Sequence, residues 1–201
     1  MTSEQTVVGR VLRATTSTFT VGCRQLISEQ DRLIPEFGAL VRADARNGTA
    51  IYGLIYNVTI EDDAFVRQLV AAGVESAEII EDQRQKRQVP VVIDVLVVGF
   101  GQDGRVSHRL PPQPPATLDQ IYLCNRSELV RFTESHDWLR MVLTAKDVPA
   151  DPLLIASVRA AAAVRTATGQ RDAYLVAVGR ELTRLLALDL LRLDGILRGI
   201  R

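Results

Sequence analysis

Three glycines, Gly99, Gly101 and Gly104, stand in the stretch VVGFGQDGRV with the spacing G-x-G-x-x-G. In a dinucleotide-binding loop such glycines come after a strand and open a helix. The helix N-terminus receives the pyrophosphate, and an acid about 20 residues on holds the ribose. Here VVIDVLVV supplies the strand. After Gly104 the chain reads RVSHRLPPQPP, a short strand pattern ending in prolines, with no helix to receive a pyrophosphate. Asp119 falls near the place of the acid, but beyond the proline block. Asp103-Gly104 between two strand patterns reads as a hairpin turn. The motif therefore points to a turn, and no cofactor is expected.

The other groups able to do chemistry do not converge. Neither lysine, Lys86 or Lys146, follows a glycine, so there is no phosphate-binding G-x-x-x-x-G-K-[ST] loop, and no G-x-S-x-G elbow is present. His136, in TESHDWLR, sits beside Glu134 and Asp137. A carboxylate–histidine pair can act as a general base, but no nucleophile stands at useful spacing. Helix capping by Ser135 and Asp137 around Trp138 accounts for the same residues. His108 alternates with Val106 and Leu110 and reads as a packed strand residue. Glu61-Asp62-Asp63 could hold a divalent cation, yet acids gather at helix starts for electrostatic reasons alone. Cys23 and Cys124 are isolated, which indicates neither a zinc site nor a disulfide framework. Arg10, Arg13, Arg24, Arg42 and Arg46 cluster in the first strand patterns and could face phosphate. Aromatics are only 5%, and Lys+Arg and Asp+Glu both number 24, so any nucleic-acid surface would be weak.

These residues need elements to hold them. Val7–Ala14 (VVGRVLRA) is rich in β-branched residues, and STFTVGC (Ser17–Cys23) alternates its two faces, with Phe19, Val21 and Cys23 on one, as a half-buried strand does. Gly38–Asp44 and Thr49–Ile60 flank Arg46-Asn47-Gly48, a strong hairpin signal. In the second of these, Ala50, Tyr52, Leu54, Tyr56, Val58 and Ile60 form one apolar face, and Gly53 marks a bend or bulge. A helical insertion is expected over 62–88, where Phe65, Val66, Leu69 and Val70 precede a charge-dense stretch. Strand character returns at Val89–Phe100 and Arg105–Leu110. Six strands in about 110 residues suggest a small barrel. LPPQPPA then forms a stiff connector at 111–116, placed as a domain boundary.

The rest, 117–201, changes to helical periodicity. Leu129, Phe132, Leu139 and Val142 are expected core positions, Asp151-Pro152 fits a helix start, and Gly169 fits a stop. One long helix is expected over Asp172–Leu197. Leu175, Val178, Leu182 and Leu185 form a stripe that Leu186, Leu190, Leu193, Leu197 and Ile200 continue, while Leu188 and Leu191 lie off it. A helix apolar on more than one face must be buried on two sides. This assigns Leu182, Leu186, Leu190, Leu193 and Leu197 to an interface with another subunit. The N-terminus MTSEQTVVGR lacks a secretory pattern, and no apolar run reaches the ~18 residues of a membrane span, so a cytoplasmic protein with no membrane partner is expected.

The order of signals over 7–115 resembles the HAS-barrel family, the small N-terminal β-barrel of HerA-type DNA-translocating ATPases, similar to the barrel at the head of rotary ATP synthase catalytic subunits. The residues that carry the resemblance are VVGRVLRATTSTFTV at 7–21, Gly38-Ala39-Leu40-Val41, Ile51-Tyr52-Gly53-Leu54-Ile55, VVIDVLVVGF, and the exit Leu110-Pro111-Pro112-x-x-Pro115. In that family the exit leads to an ATPase core; here it leads to 117–201, with no P-loop. The resemblance implies a barrel that assembles side by side with copies or docks partners, and it brings no catalytic residue. The sequence as a whole therefore reads as an α+β chain, a small six-stranded barrel (1–110) followed by a separate all-helical oligomerisation domain (117–201). Its expected function is that of a non-catalytic assembly or adaptor protein forming homo-oligomers. The alternative is an accessory subunit of a HerA-like ATPase or nuclease system, with Arg10, Arg13, Arg42 and Arg46 toward phosphate. A small metal- or nucleotide-dependent enzyme ranks below both.

Overall fold

A computed structural model of the chain describes residues 6–26, 35–45, 48–60, 67–68, 71, 73, 88–102 and 104–201. The acids Glu61, Asp62 and Asp63, the turn residues Arg46, Asn47 and Asp103, and the charged stretch 74–87 lie outside the described residues, as does most of the expected helix before it. The strands are β1 (Val7–Ala14), β2 (Thr18–Leu26), β3 (Leu40–Asp44), β4 (Ala50–Ile60), β5 (Gln88–Gln102), β6 (Arg105–Ser107) and β7 (Gln120–Leu123). The helices are α1 (Arg126–Phe132), α2 (Trp138–Leu143), α3 (Ala150–Ala163), α4 (Arg171–Leu185) and α5 (Leu190–Ile200), with a 3-10 turn at Thr166–Thr168. No helix among the described residues is long and apolar enough to cross a membrane.

Six strands close into an antiparallel barrel in the order β2-β1-β7-β3-β4-β5, with β5 returning to pair with β2. Directly paired residues share a face of a sheet, and the pairs Val11↔Val21, Val21↔Ile93, Ile55↔Val95, Ala43↔Ile51 and Ala43↔Ile121 all point inward. With Phe19, Val41 and Val97 they fill the barrel with side chains. β1 and β2 are joined where Thr15 Oγ1 accepts from the Thr18 amide at 3.0 Å, so the threonine-rich link is itself the turn.

The barrel is built differently from the expectation in one respect. Among the described residues β6 pairs with β5 alone and projects beyond the barrel. The sixth stave is β7, which lies past the prolines, inside the stretch expected to be helical. Four residues, QIYL, are too few to show a period. What makes them a strand is the slot between β1 and β3, where the chain is also held by the Leu118 amide on Val11 O at 2.8 Å.

The expected apolar face of β4 is also divided. Its register with β5 shifts between Tyr52 and Gly53 and again between Ile55 and Asn57. Ile51 and Ile55 face the barrel interior, while Tyr52 and Leu54 face outward under the helices; past the second bulge Val58 turns inward and Ile60 is exposed. A bulge inserts one residue and so reverses the alternation beyond it.

The helices are not laid down as an independent bundle. Leu40, Tyr52, Leu54, Leu96 and Val98 on the outer barrel wall share one core with Phe132, Trp138, Leu139, Leu153, Val158, Val178, Leu182 and Ile196. α3 approaches β3 at Gly38, whose φ of +85° and whose distance of 2.6 Å from a would-be Cβ to Ala156 Cβ both demand glycine. Ser157 Oγ seals that contact on Gly38 O at 3.0 Å. Asp151 lies in the first turn of α3 rather than capping it, since the N-cap position falls on Pro149.

The expected long helix over Asp172–Leu197 is two helices. α4 stops at Leu185, and Asp189 caps α5 by accepting from the Arg192 amide. A straight helix of that length would run about 39 Å at 1.5 Å per residue, past the core it must cover. The corner instead turns α5 back onto α3, where Arg192 Nε and Nη2 grip Asp151 at 2.8 and 2.6 Å. Two-sided burial is thereby met largely within the chain.

Candidate functional site

The glycine motif is a β-hairpin. Phe100↔Ser107, Gly101↔Val106 and Gln102↔Arg105 pair across it, and Gly104 makes the turn with φ +75°. A Cβ on Gly99 would meet Ser107 O at 2.6 Å and Phe132 Cε2 at 3.2 Å; one on Gly101 would meet the Tyr52 ring at 3.1 Å. The first two glycines make room for aromatic rings of the helix-side core.

The arginines assigned to phosphate have structural partners. Arg42 pairs with Asp44 at 2.9 Å and with Glu128, and lies over the Tyr122 ring. Glu128 is itself bound into α1, because its carboxylate accepts from the Asn125 amide while Asn125 Oδ1 accepts from the Glu128 amide. Arg10, exposed, donates to Leu118 O at 3.0 Å. Register places Arg10 and Arg42 on one outer face, flanking Gln120 and Tyr122 of β7. Arg13, beyond the bulge after Val11, bonds Thr20 Oγ1 at 3.1 Å, and Thr20 donates to Asp94 at 2.9 Å. Arg46 is outside the described residues. The three described arginines, Arg10, Arg13 and Arg42, do not converge on one site.

Both histidines are packed. His108 Nε2 lies 2.9 Å from Phe132 O, with the two rings edge to face. His136 stacks on Tyr174 with centroids 5.7 Å apart, and its Nε2 is buried without a hydrogen bond. Burial pulls both below the ordinary imidazole value. Asp137 occupies the N-cap position of α2 but makes no capping bond; Ser135 Oγ donates to it instead at 3.1 Å, so the expected cap is not formed. Burial raises both thiols, Cys23 and Cys124, which keeps them protonated and weakly nucleophilic. No cluster of three or more metal-ligating side chains occurs among the described residues.

Two features stand out instead. The first is the α4–α5 corner. Leu182, Leu186 and Leu193 are buried in the chain's own core and Leu197 packs partly against it, but Leu190 is 68% exposed. Its neighbours off the stripe, Leu188 and Leu191, are 102% and 86% exposed. Of the five residues assigned to an interface, Leu190 alone is exposed, with Leu197 half-buried.

The second is a cleft of about 840 Å³ between α1 and the start of α4, with Arg165 and Tyr174 among its lining. Arg165 comes just after the last turn of α3 and is buried. Its guanidinium donates to Ala161 O at 2.7 Å and Val130 O at 3.1 Å, and lies 4.1 Å above the Tyr174 ring. One cation thus faces the carbonyl ends of α3 and α1, where the helix dipoles are negative, and stacks on α4. The sequence signal was a basic residue shortly before the Gly169 stop. Nothing in it shows that the side chain reaches two other helices.

Neither the models of known protein families nor the curated proteins include a match to this chain.

Proposed function

We propose that the chain is a non-catalytic assembly protein, pairing with a second copy through the α4–α5 corner and offering the outer barrel face of β1, β7 and β3 to a partner. The observation that carries this reading is the exposure of Leu188, Leu190 and Leu191 together on one corner. Three leucines within four residues, all in water, favour a covering surface, each worth about 1.5–3 kcal/mol on full burial. The covering surface is a second copy because the flanking charges are balanced. Glu181 pairs with Arg184 on one side and Asp194 with Arg198 on the other. A patch that meets itself across a two-fold axis requires such self-complementarity. The resemblance of 7–115 to barrels that assemble side by side supports the same reading. Service to a HerA-like motor through phosphate contacts has less support, since Arg42 is neutralised by Glu128 and Asp44.

Size exclusion with light scattering tests this. The expected result is a mass at least twice that of one chain, reduced to one chain by Leu188→Asp combined with Leu191→Asp, with unchanged far-UV circular dichroism. A wild-type protein that stays single at high concentration overturns the reading. So does an oligomer that survives the double substitution, or a single chain whose leucine corner binds lipid vesicles.

A further inference from the structure

The cleft between α1 and α4 holds two buried hydrogen-bond donors with capacity left over. Arg165 is 6% exposed. A guanidinium carries five N–H donors, and among the described residues that of Arg165 donates to the carbonyls of Ala161 and Val130. No carboxylate pairs with it among the described residues; Glu134 acts on it from longer range. Tyr174 is 7% exposed, and its buried hydroxyl makes no hydrogen bond among the described residues. Thr133 lies against it and pulls the phenol's pKa down, but donates its own hydroxyl proton to Leu129 O at 2.6 Å. Burial holds the phenol up at about 12, so it remains a donor across the physiological range. A buried cation and a buried phenol lining one open cleft lack the same thing, an acceptor carrying negative charge.

We infer that this cleft binds a small organic carboxylate, with Arg165 and the Tyr174 hydroxyl on its oxygens and its apolar body against Val130 and Ala173. The charge fits a monoanion, because only one of the cleft's cations is buried; Arg126 and Arg131 stand exposed at its rim beside the acid Glu134. Exposed cations share their charge with water and salt, so they hold the second charge of a phosphate less firmly than a buried one would. The volume, about 840 Å³, lies in the range of small-molecule clefts. This inference stands apart from self-association, since the cleft and the leucine corner share no residue.

Calorimetric titration of the full chain with benzoate tests it, with benzamide and inorganic phosphate as the comparison probes. Benzoate is expected to bind saturably in the millimolar range or tighter, and to raise the melting temperature. Benzamide is expected to bind at least tenfold more weakly, as loss of a hydrogen bond to a charged group implies. Tyr174→Phe keeps the ring under Arg165 and removes only the hydroxyl; it should weaken benzoate roughly tenfold. Ala173→Trp fills the cleft from an exposed position and should abolish binding with the melting temperature retained. Absence of saturable benzoate binding overturns the inference. Equal binding of benzamide, tighter binding of phosphate, or indifference to both substitutions overturns it as well.

Discussion

β4 and β5 carry a different core on each face. The inner face packs Ile51, Ile55, Ile93, Val95 and Val97 against Val11, Phe19 and Ile121, all aliphatic but for one ring and without a polar side-chain atom. The outer face packs Tyr52, Leu54, Leu96 and Val98 under Phe132, Trp138 and Tyr174. That second core brings polar atoms inside with it: Trp138 Nε1, His136 Nε2 and the Tyr174 hydroxyl are buried without hydrogen bonds, and Arg165 is buried with neutral partners. A closed barrel satisfies its backbone through strand pairing and needs only shape-matched hydrocarbon within. The helices laid on its wall leave a cleft and unmatched donors. The barrel is thus the scaffold, and the residues with chemical capacity lie on the helical side.

If the two faces belong to one cooperative unit, damage to one must unfold both. Trp138→Ala, at the centre of the outer core and 1% exposed, should cost about 3–5 kcal/mol and lower a single urea transition. Separate transitions for sheet and helix signals in circular dichroism would show two independent units instead. The inner face is tested by adding volume. Gly53→Ala places a Cβ 2.3 Å from Val95 Cγ1 and 2.9 Å from Leu96 O, and should cost about 1–3 kcal/mol through overpacking, read as a lower urea midpoint.

Acid should act on the outer face first, with the smallest effect of the three. Burial lowers His108 and His136 from 6.5, so below that pH the unfolded chain takes up protons before the folded one. Stability is therefore constant above about pH 6.5 and falls as pH drops below it. The groups facing His136 include Glu181, Asp137 and Arg165. Glu181, itself lowered from 4.5 by its bond to Arg184, adds a further loss at lower pH. Replacing both histidines with Asn should flatten the urea midpoint between pH 6.5 and about 5, while leaving the inner core untouched.

Much of the scaffold can be read from local pattern. The alternation in STFTVGC and VVIDVLVV, the turn at Gly104 and the Gly53 bulge all report how neighbouring residues share a sheet face, a property of a few consecutive side chains. β7 is a strand only because β1 and β3 leave it a place. The leucine stripe misled for a related reason. Its period implies two-sided burial, but period alone does not tell whether the second side belongs to the same chain. Asp189 breaking the helix and Arg192 meeting Asp151 decide that.

By itself, then, the sequence determined an α+β chain with a β-barrel, the hairpin nature of its glycine motif and the apolar character of its tail. These depend on interactions between residues close in sequence. Tertiary structure alone decided the sixth stave, the common core that joins helices to barrel wall, the three leucines left in solvent and the meeting of Arg165 with Tyr174. Each of those joins residues distant along the chain or depends on which surface the rest of the fold covers, and only closure of the chain fixes it.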